Sequence, residues 1–154
     1  MKKRILSLIC ALALLVSCLG VCASADTTRT AYCEACKQTV TWEPMVYGKY
    51  THPEGEPAVH KHYYLTASRE STSTADQTTM SGAVTLCLDL NGKSWTSYGR
   101  ALILGDGSTV NLMDTVGGGR FMSKVSGGAY GGVVMVSTNE VNDAIFELCS
   151  GTIT

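Results

Sequence analysis

Three pentapeptides in this chain share one pattern: Leu88-Asp89-Leu90-Asn91-Gly92, Val110-Asn111-Leu112-Met113-Asp114 and Phe146-Glu147-Leu148-Cys149-Ser150. Each alternates apolar and polar positions and ends on a turn-forming residue. The second starts 22 residues after the first and the third 36 after the second, as if one rung of about twenty residues were followed by a rung with an insertion. A strand with one apolar face cannot bury that face alone. Stacking like strands in register solves the problem, and this is how a solenoid reads. The feature constrains architecture far more than activity, because a regular coil supports adhesion, sugar binding and catalysis alike.

The rest of the back half agrees. Val84, Leu86, Leu88 and Leu90 alternate with Thr85, Cys87 and Asp89, the period of two of a half-buried strand, and Asn91-Gly92 ends the run with residues that accept positive φ. Short apolar runs follow at Ala101 to Leu104, Val110 to Met113, Val133 to Val136 and Ala144 to Leu148, separated by glycine-rich corners. A β-sandwich also alternates, and Asn-Gly is a good hairpin turn. Recurrence of equivalent segments in register favours stacked parallel rungs, so the expected fold is all-β, a parallel β-helix over residues 82–154, with a sandwich as the alternative.

The front of the chain reads as processing and accessory sequence. Residues 1–25 combine Lys2, Lys3 and Arg4, an apolar run from Ile5 to Val21, and the small-residue step Ala23-Ser24-Ala25, the layout of a secretory signal peptide. An uncleaved anchor is the alternative, and Leu15-Val16-Ser17-Cys18 resembles a bacterial lipobox that would lipidate Cys18. Export would leave nine basic against thirteen acidic residues, a formal charge of −4, with no Lys/Arg cluster beyond residue 4. Nucleic acid is therefore not an expected partner, since nothing neutralises its phosphates. Membrane contact is expected only through the leader or a lipid anchor.

Composition then divides the remainder. All three prolines and all three histidines precede residue 80, whereas thirteen of sixteen glycines follow it. Residues 26–66 form an irregular aromatic region containing Cys33-x-x-Cys36. Residues 67–81 hold eight Ser or Thr in fifteen positions and read as either a linker or a threonine-rich edge strand.

The string from Val84 to Lys93, with Val110 to Asp114 and the closing Gly151-Thr152-Ile153, resembles the right-handed parallel β-helix repeats of the pectate-lyase-like superfamily. The likeness is greatest to large secreted or wall-attached proteins of gut Firmicutes, in which a Cys-x-x-Cys segment and an aromatic strand like His62-Tyr63-Tyr64-Leu65 precede the first rung. It covers about residues 30 to 154. It implies an exported, surface-associated coil, and no catalytic signature of the superfamily maps onto these residues. Family members run through many rungs, so a chain ending at Thr154 is expected to be either a fragment or a module that meets another copy at its open end.

Four sets of residues could carry chemistry. Asp89, Asn111 and Glu147, the polar centres of the pentapeptides, would form an outer ladder able to hold Ca²⁺ or sugar hydroxyls, or simply a solvated face. Cys33, Cys36, His60 and His62 could close a tetrahedral Zn²⁺ site, although the two-residue His spacing is tight; a disulfide and free thiols are the alternatives for the cysteines. With Cys87 and Cys149 there are four cysteines after the leader, which allow three pairings. Trp95 and Tyr98, between Gly92 and Gly99, are the aromatics expected to be exposed for stacking on sugars, with core packing as the alternative. Asp89, Asp106, Asp114, Lys93, Arg100, Arg120 and Lys124 are available for polysaccharide cleavage, but no spacing groups them. The expectation is a non-catalytic surface module for adhesion or contact with a polysaccharide or surface glycan. A polysaccharide lyase or glycoside hydrolase and a structural spacer are the alternatives.

Overall fold

The computed structural model describes residues 27–53, 55–73, 77–124, 132–136 and 143–154. The leader expected over residues 1–25, with Cys18, lies outside them. The described chain is all-β: β1 (Arg29–Cys33), β2 (Gln38–Pro44), β3 (Lys49–Thr51), β4 (Val59–Tyr64), β5 (Arg69–Glu70), β6 (Thr78–Ser81), β7 (Val84–Asp89), β8 (Ser94–Ser97), β9 (Leu102–Leu104), β10 (Thr109–Met113), β11 (Arg120–Ser123), β12 (Val134–Val136), β13 (Ile145–Leu148) and β14 (Thr152–Ile153).

These strands form three sheets. Sheet one has the order β1-β2-β4-β7-β10-β13, sheet two β5-β8-β11-β14, and sheet three β3-β6-β9-β12. From β4 onward the chain visits sheets one, two and three in that order and then repeats. All pairings are parallel except the hairpin β1–β2. The arrangement is compatible with a β-helix-like fold. Within residues 67–81, β5 forms an edge of sheet two, while β6 lies inside sheet three between β3 and β9.

Register is where the pentapeptide alignment needs correction. Val110 pairs with Leu86, Leu112 with Leu88 and Met113 with Asp89, a shift of two residues from the expected match of Val110 with Leu88. The expected match of Val110 with Phe146 holds. A slip of one residue would turn the apolar side chains outward, but a slip of two keeps every one on its face, so alternation alone cannot detect it. The turns decide the offset. β7 is followed by Leu90 before the turn at Asn91 (φ 53°) and Gly92 (φ 71°), whereas Asp114 follows β10 at once.

Apolar residues from the three sheets fill the interior. Leu86 stacks in register on Val110, Leu88 on Leu112, Trp95 on Phe121 and Met80 on Leu104, and all eight are buried. On the outermost strands the same columns reach Val136, Leu148 and Ile153, which are exposed. At one corner the packing leaves no room for a side chain. A Cβ on Gly119 would stand 2.7 Å from the Lys93 carbonyl oxygen and 2.9 Å from Leu90 Cβ.

A second, smaller core lies on the opposite face of sheet one. The β1–β2 hairpin joins that sheet through only Glu43–Tyr63 and Pro44–Tyr64, and packs over its outer face. Cys33 and Trp42 from the hairpin meet Tyr64, Cys87 and Met113, one from each of β4, β7 and β10. The covering explains why Asp89 and Asn111 are buried, where strand alternation predicts solvated side chains.

Candidate metal centre

The hairpin's turn brings two thiols together. Lys37 adopts the left-handed conformation (φ 56°) and its N–H donates to the Cys33 carbonyl at 2.9 Å, reversing the chain directly after Cys33-Glu34-Ala35-Cys36. Beneath the turn, β4 presents His62 and β7 presents Cys87, which are paired partners on adjacent strands. The ligand atoms of Cys33, Cys36, His62 and Cys87 all lie within 4.8 Å of one another. Cys36 Sγ is 3.2 Å from His62 Nε2 and 3.7 Å from Cys87 Sγ.

Those separations suit a metal. Zinc–sulfur bonds of about 2.3 Å and zinc–nitrogen bonds of about 2.0 Å, set tetrahedrally, place their donor atoms roughly 3.5–3.8 Å apart. Three thiols and one imidazole form a donor set for a soft or borderline cation. Cys33 and Cys87 are fully buried, and Trp42, Tyr64 and Met113 close around them. The Trp42 ring meets His62 edge-on, with centroids 5.3 Å apart at 76°, and its Nε1 donates to the Ala31 carbonyl at 3.2 Å, so an anchored ring orients the imidazole. The group could hold a metal ion.

Burial shifts the protonation of these groups. It pushes the Cys36 and Cys87 thiols up from their ordinary value, with the amide of Asn111 partly countering this at Cys87. It lowers His60 and His62, the latter also because protonating both neighbouring rings would set like charges against each other. Burial thus favours the neutral forms of Cys36, Cys87, His60 and His62, and a cation must displace protons from sulfur.

The sequence-predicted ligands are only partly the ones assembled. Cys33, Cys36 and His62 stand in the compact group, whereas Cys87 takes the fourth place in it. His60 lies beside the group, exposed, with its Nε2 3.4 Å from Cys36 Sγ and 3.3 Å from Cys87 Sγ and its ring stacked on His62 at 4.5 Å. Cys87 was detectable as a cysteine on the outward phase of a strand whose inward residues are Leu86 and Leu88. Its 51-residue separation from Cys36 kept it from being grouped with the Cys-x-x-Cys motif. All four cysteines of the described residues are free thiols.

The other expected sites are dispersed. Asn111 pairs with Glu147 and Cys87, but Asp89 faces Met113, so the three polar centres do not form one row. Asp89 is 0 % exposed and accepts four hydrogen bonds: from Arg29, with which it forms an ion pair, from the N–H of Asn91 at 2.8 Å, and from Thr115 N and Oγ1 at 3.0 and 2.5 Å. Asp114 likewise accepts the N–H groups of Gly92 and Gly119, each at 2.7 Å. Both carboxylates hold the turns that follow strands β7 and β10 of sheet one. Trp95, expected in an exposed loop, is an inward residue of β8, 0 % exposed between Tyr47 and Phe121, because the segment after Gly92 is a strand. Tyr98 is 50 % exposed.

No family model, curated protein or solved structure matches this chain.

Proposed function

We propose that the chain is a right-handed parallel β-helix module, exported to the bacterial surface, that acts without catalysis in adhesion or carbohydrate contact and uses Zn²⁺ as a structural staple. The observation that carries the coil is the continuous parallel register of β4, β7, β10 and β13, which matches the stacked-rung pattern of the superfamily that the sequence resembles. Stacked rungs hold their corners rigidly, which suits the presentation of loops to an extended ligand. The engagement of Asp89 and Asp114 with backbone N–H groups supports the non-catalytic reading, since neither carboxylate is left available for acid–base work.

Zinc fits the donor chemistry of Cys33, Cys36, His62 and Cys87. When bound it supplies a cross-link, with no redox step. Its ligands come from the hairpin, β4 and β7, so the ion would fasten the hairpin to sheet one and seal the smaller core. Among the described residues calcium finds no comparable group, because Asp89 is separated from Asn111 and Glu147.

Two measurements test this reading. The exported form, residues 26–154, is applied to a glycan array and incubated with pectin, alginate and other polysaccharides, with and without Ca²⁺. Retention on specific glycans without release of unsaturated or reducing ends is the expected result. Turnover would instead establish a polysaccharide lyase or glycoside hydrolase, and neither retention nor turnover would leave a structural spacer.

A further inference from the structure

One buried polar group lies directly beside the metal centre. Asn111 lies on β10 directly opposite Cys87, is 7 % exposed, and directs Nδ2 at Cys87 Sγ over 3.7 Å. Its position faces outward from the rungs, where a carboxamide is ordinarily solvated. Here the hairpin has replaced the water, and a carboxamide deprived of water needs partners in the protein. A neutral thiol is a weak acceptor for that N–H, whereas a thiolate is a strong one. Three thiolates and a neutral imidazole around a divalent cation carry a net charge of −1 in a partly buried pocket. A donor aimed at one sulfur offsets part of that charge and fixes the direction in which the sulfur presents its lone pairs.

We propose that Asn111 is a positioning residue of the metal centre, its amide N–H donating to the Cys87 thiolate of the loaded site and selecting Cys87 as the ligand that joins Cys33, Cys36 and His62. This rests on the reading above that the group binds zinc. The geometry separates Asn111 from the ligands: it reaches one sulfur and lies a full strand away from His62, since β7 runs between β4 and β10. Its influence on the ion therefore passes through Cys87. Leucine at this position keeps the volume and removes the donor, aspartate keeps the shape and places an anion against a thiolate, and serine restores a donor on a shorter side chain.

The test uses the full chain, reduced and metal-free, titrated with Co²⁺ and then with Zn²⁺ in competition. The readouts are zinc affinity and the sulfur-to-cobalt charge-transfer absorption. Asn111→Leu is expected to weaken zinc binding by about 10- to 100-fold and to move the charge-transfer band to lower energy, because an undonated thiolate gives up its electrons more readily. Asn111→Asp should weaken binding further, and Asn111→Ser should recover most of both affinity and band position. Urea unfolding of the metal-free Asn111→Leu chain checks that it remains folded. An N111L variant with the wild-type band and affinity within twofold overturns the inference, as does a loss of affinity with an unmoved band. A wild-type chain that takes up neither ion overturns the zinc reading itself.

Discussion

His62 and Cys87 stand opposite each other on the neighbouring parallel strands β4 and β7, and both face the Cys36 thiol in the hairpin turn, at 3.2 Å from His62 Nε2 and 3.7 Å from Cys87 Sγ. A pair fixed by sheet register thus meets a pair fixed by a turn. Strands β4 and β7 supply half of the group in place, and the hairpin completes it by docking.

Metal removal should undo that docking. A ligand at a thousand times its Kd stabilises the state that binds it by about 4 kcal/mol, which for a domain of this size corresponds to a Tm shift on the order of 10 °C. Stripping the zinc-loaded chain with a strong chelator should lower Tm by that amount. Hydrogen exchange should rise first in β1 and β2, with Leu86, Leu88 and Val110 remaining protected in the larger core.

Ligand replacement should separate the two histidines and two of the cysteines. Cys87→Ser and His62→Ala should each weaken zinc binding by at least about 100-fold through loss of a bond to the ion. His60→Ala should change it by less than about tenfold, in keeping with an imidazole outside the compact group, and Cys149→Ser by less than about threefold. Competition against a colorimetric zinc chelator measures all four.

Proton displacement predicts the pH dependence. Each of the three thiols must release a proton to bind the ion, and burial pushes Cys36 and Cys87 up, so zinc affinity should climb about 1,000-fold per pH unit between pH 6 and 8. The histidines act in the same direction on the metal-free fold. His60 and His62 are lowered below their ordinary value of 6.5, so the folded chain takes up protons less readily than the unfolded chain. Their stability contribution is complete above about pH 6.5 and is lost as pH falls through the lower folded values. Urea titrations of the metal-free chain from pH 7.5 to 5 should show a falling midpoint.

Asp89 should be the most costly single carboxylate to remove. Asp89→Ala leaves the Arg29 guanidinium, 4.4 Å above the Tyr64 ring, without its counter-ion and strands the N–H groups of Asn91 and Thr115. Loss of one partner from a buried ion pair costs about 3–5 kcal/mol. Denaturant unfolding of the metal-loaded variant reads it directly. Gly119→Ala should cost about 1–3 kcal/mol through overpacking, because the added methyl meets backbone as well as side chains.

The strands were more legible in the sequence than the site, and particular residues show why. Val84 to Leu90 carry a local period of two, and strand formation there needs nothing beyond neighbouring residues and a turn at Asn91-Gly92. The offset between Leu88 and Val110 is not legible locally, because a two-residue slip preserves the buried face and only the position of the following turn distinguishes the alternatives. Asp89 and Asn111 looked like solvated outer positions because nothing local tells a strand that a hairpin sixty residues upstream will cover it. Trp95 reads locally as a loop residue for the same reason, since the partners of β8 are β5 and β11, each more than twenty residues away. Cys33 and Cys36 could be paired by spacing alone, while Cys87 joins them only through the parallel register of β4 and β7.

Zinc K-edge absorption on the reduced, metal-loaded full chain tests the centre most directly. The account predicts one zinc per chain with three sulfur neighbours at about 2.3 Å and one nitrogen at about 2.0 Å, changing to two sulfurs in Cys87→Ser. A wild-type shell with two or fewer sulfurs, or one unaltered by the loss of Cys87, would contradict it.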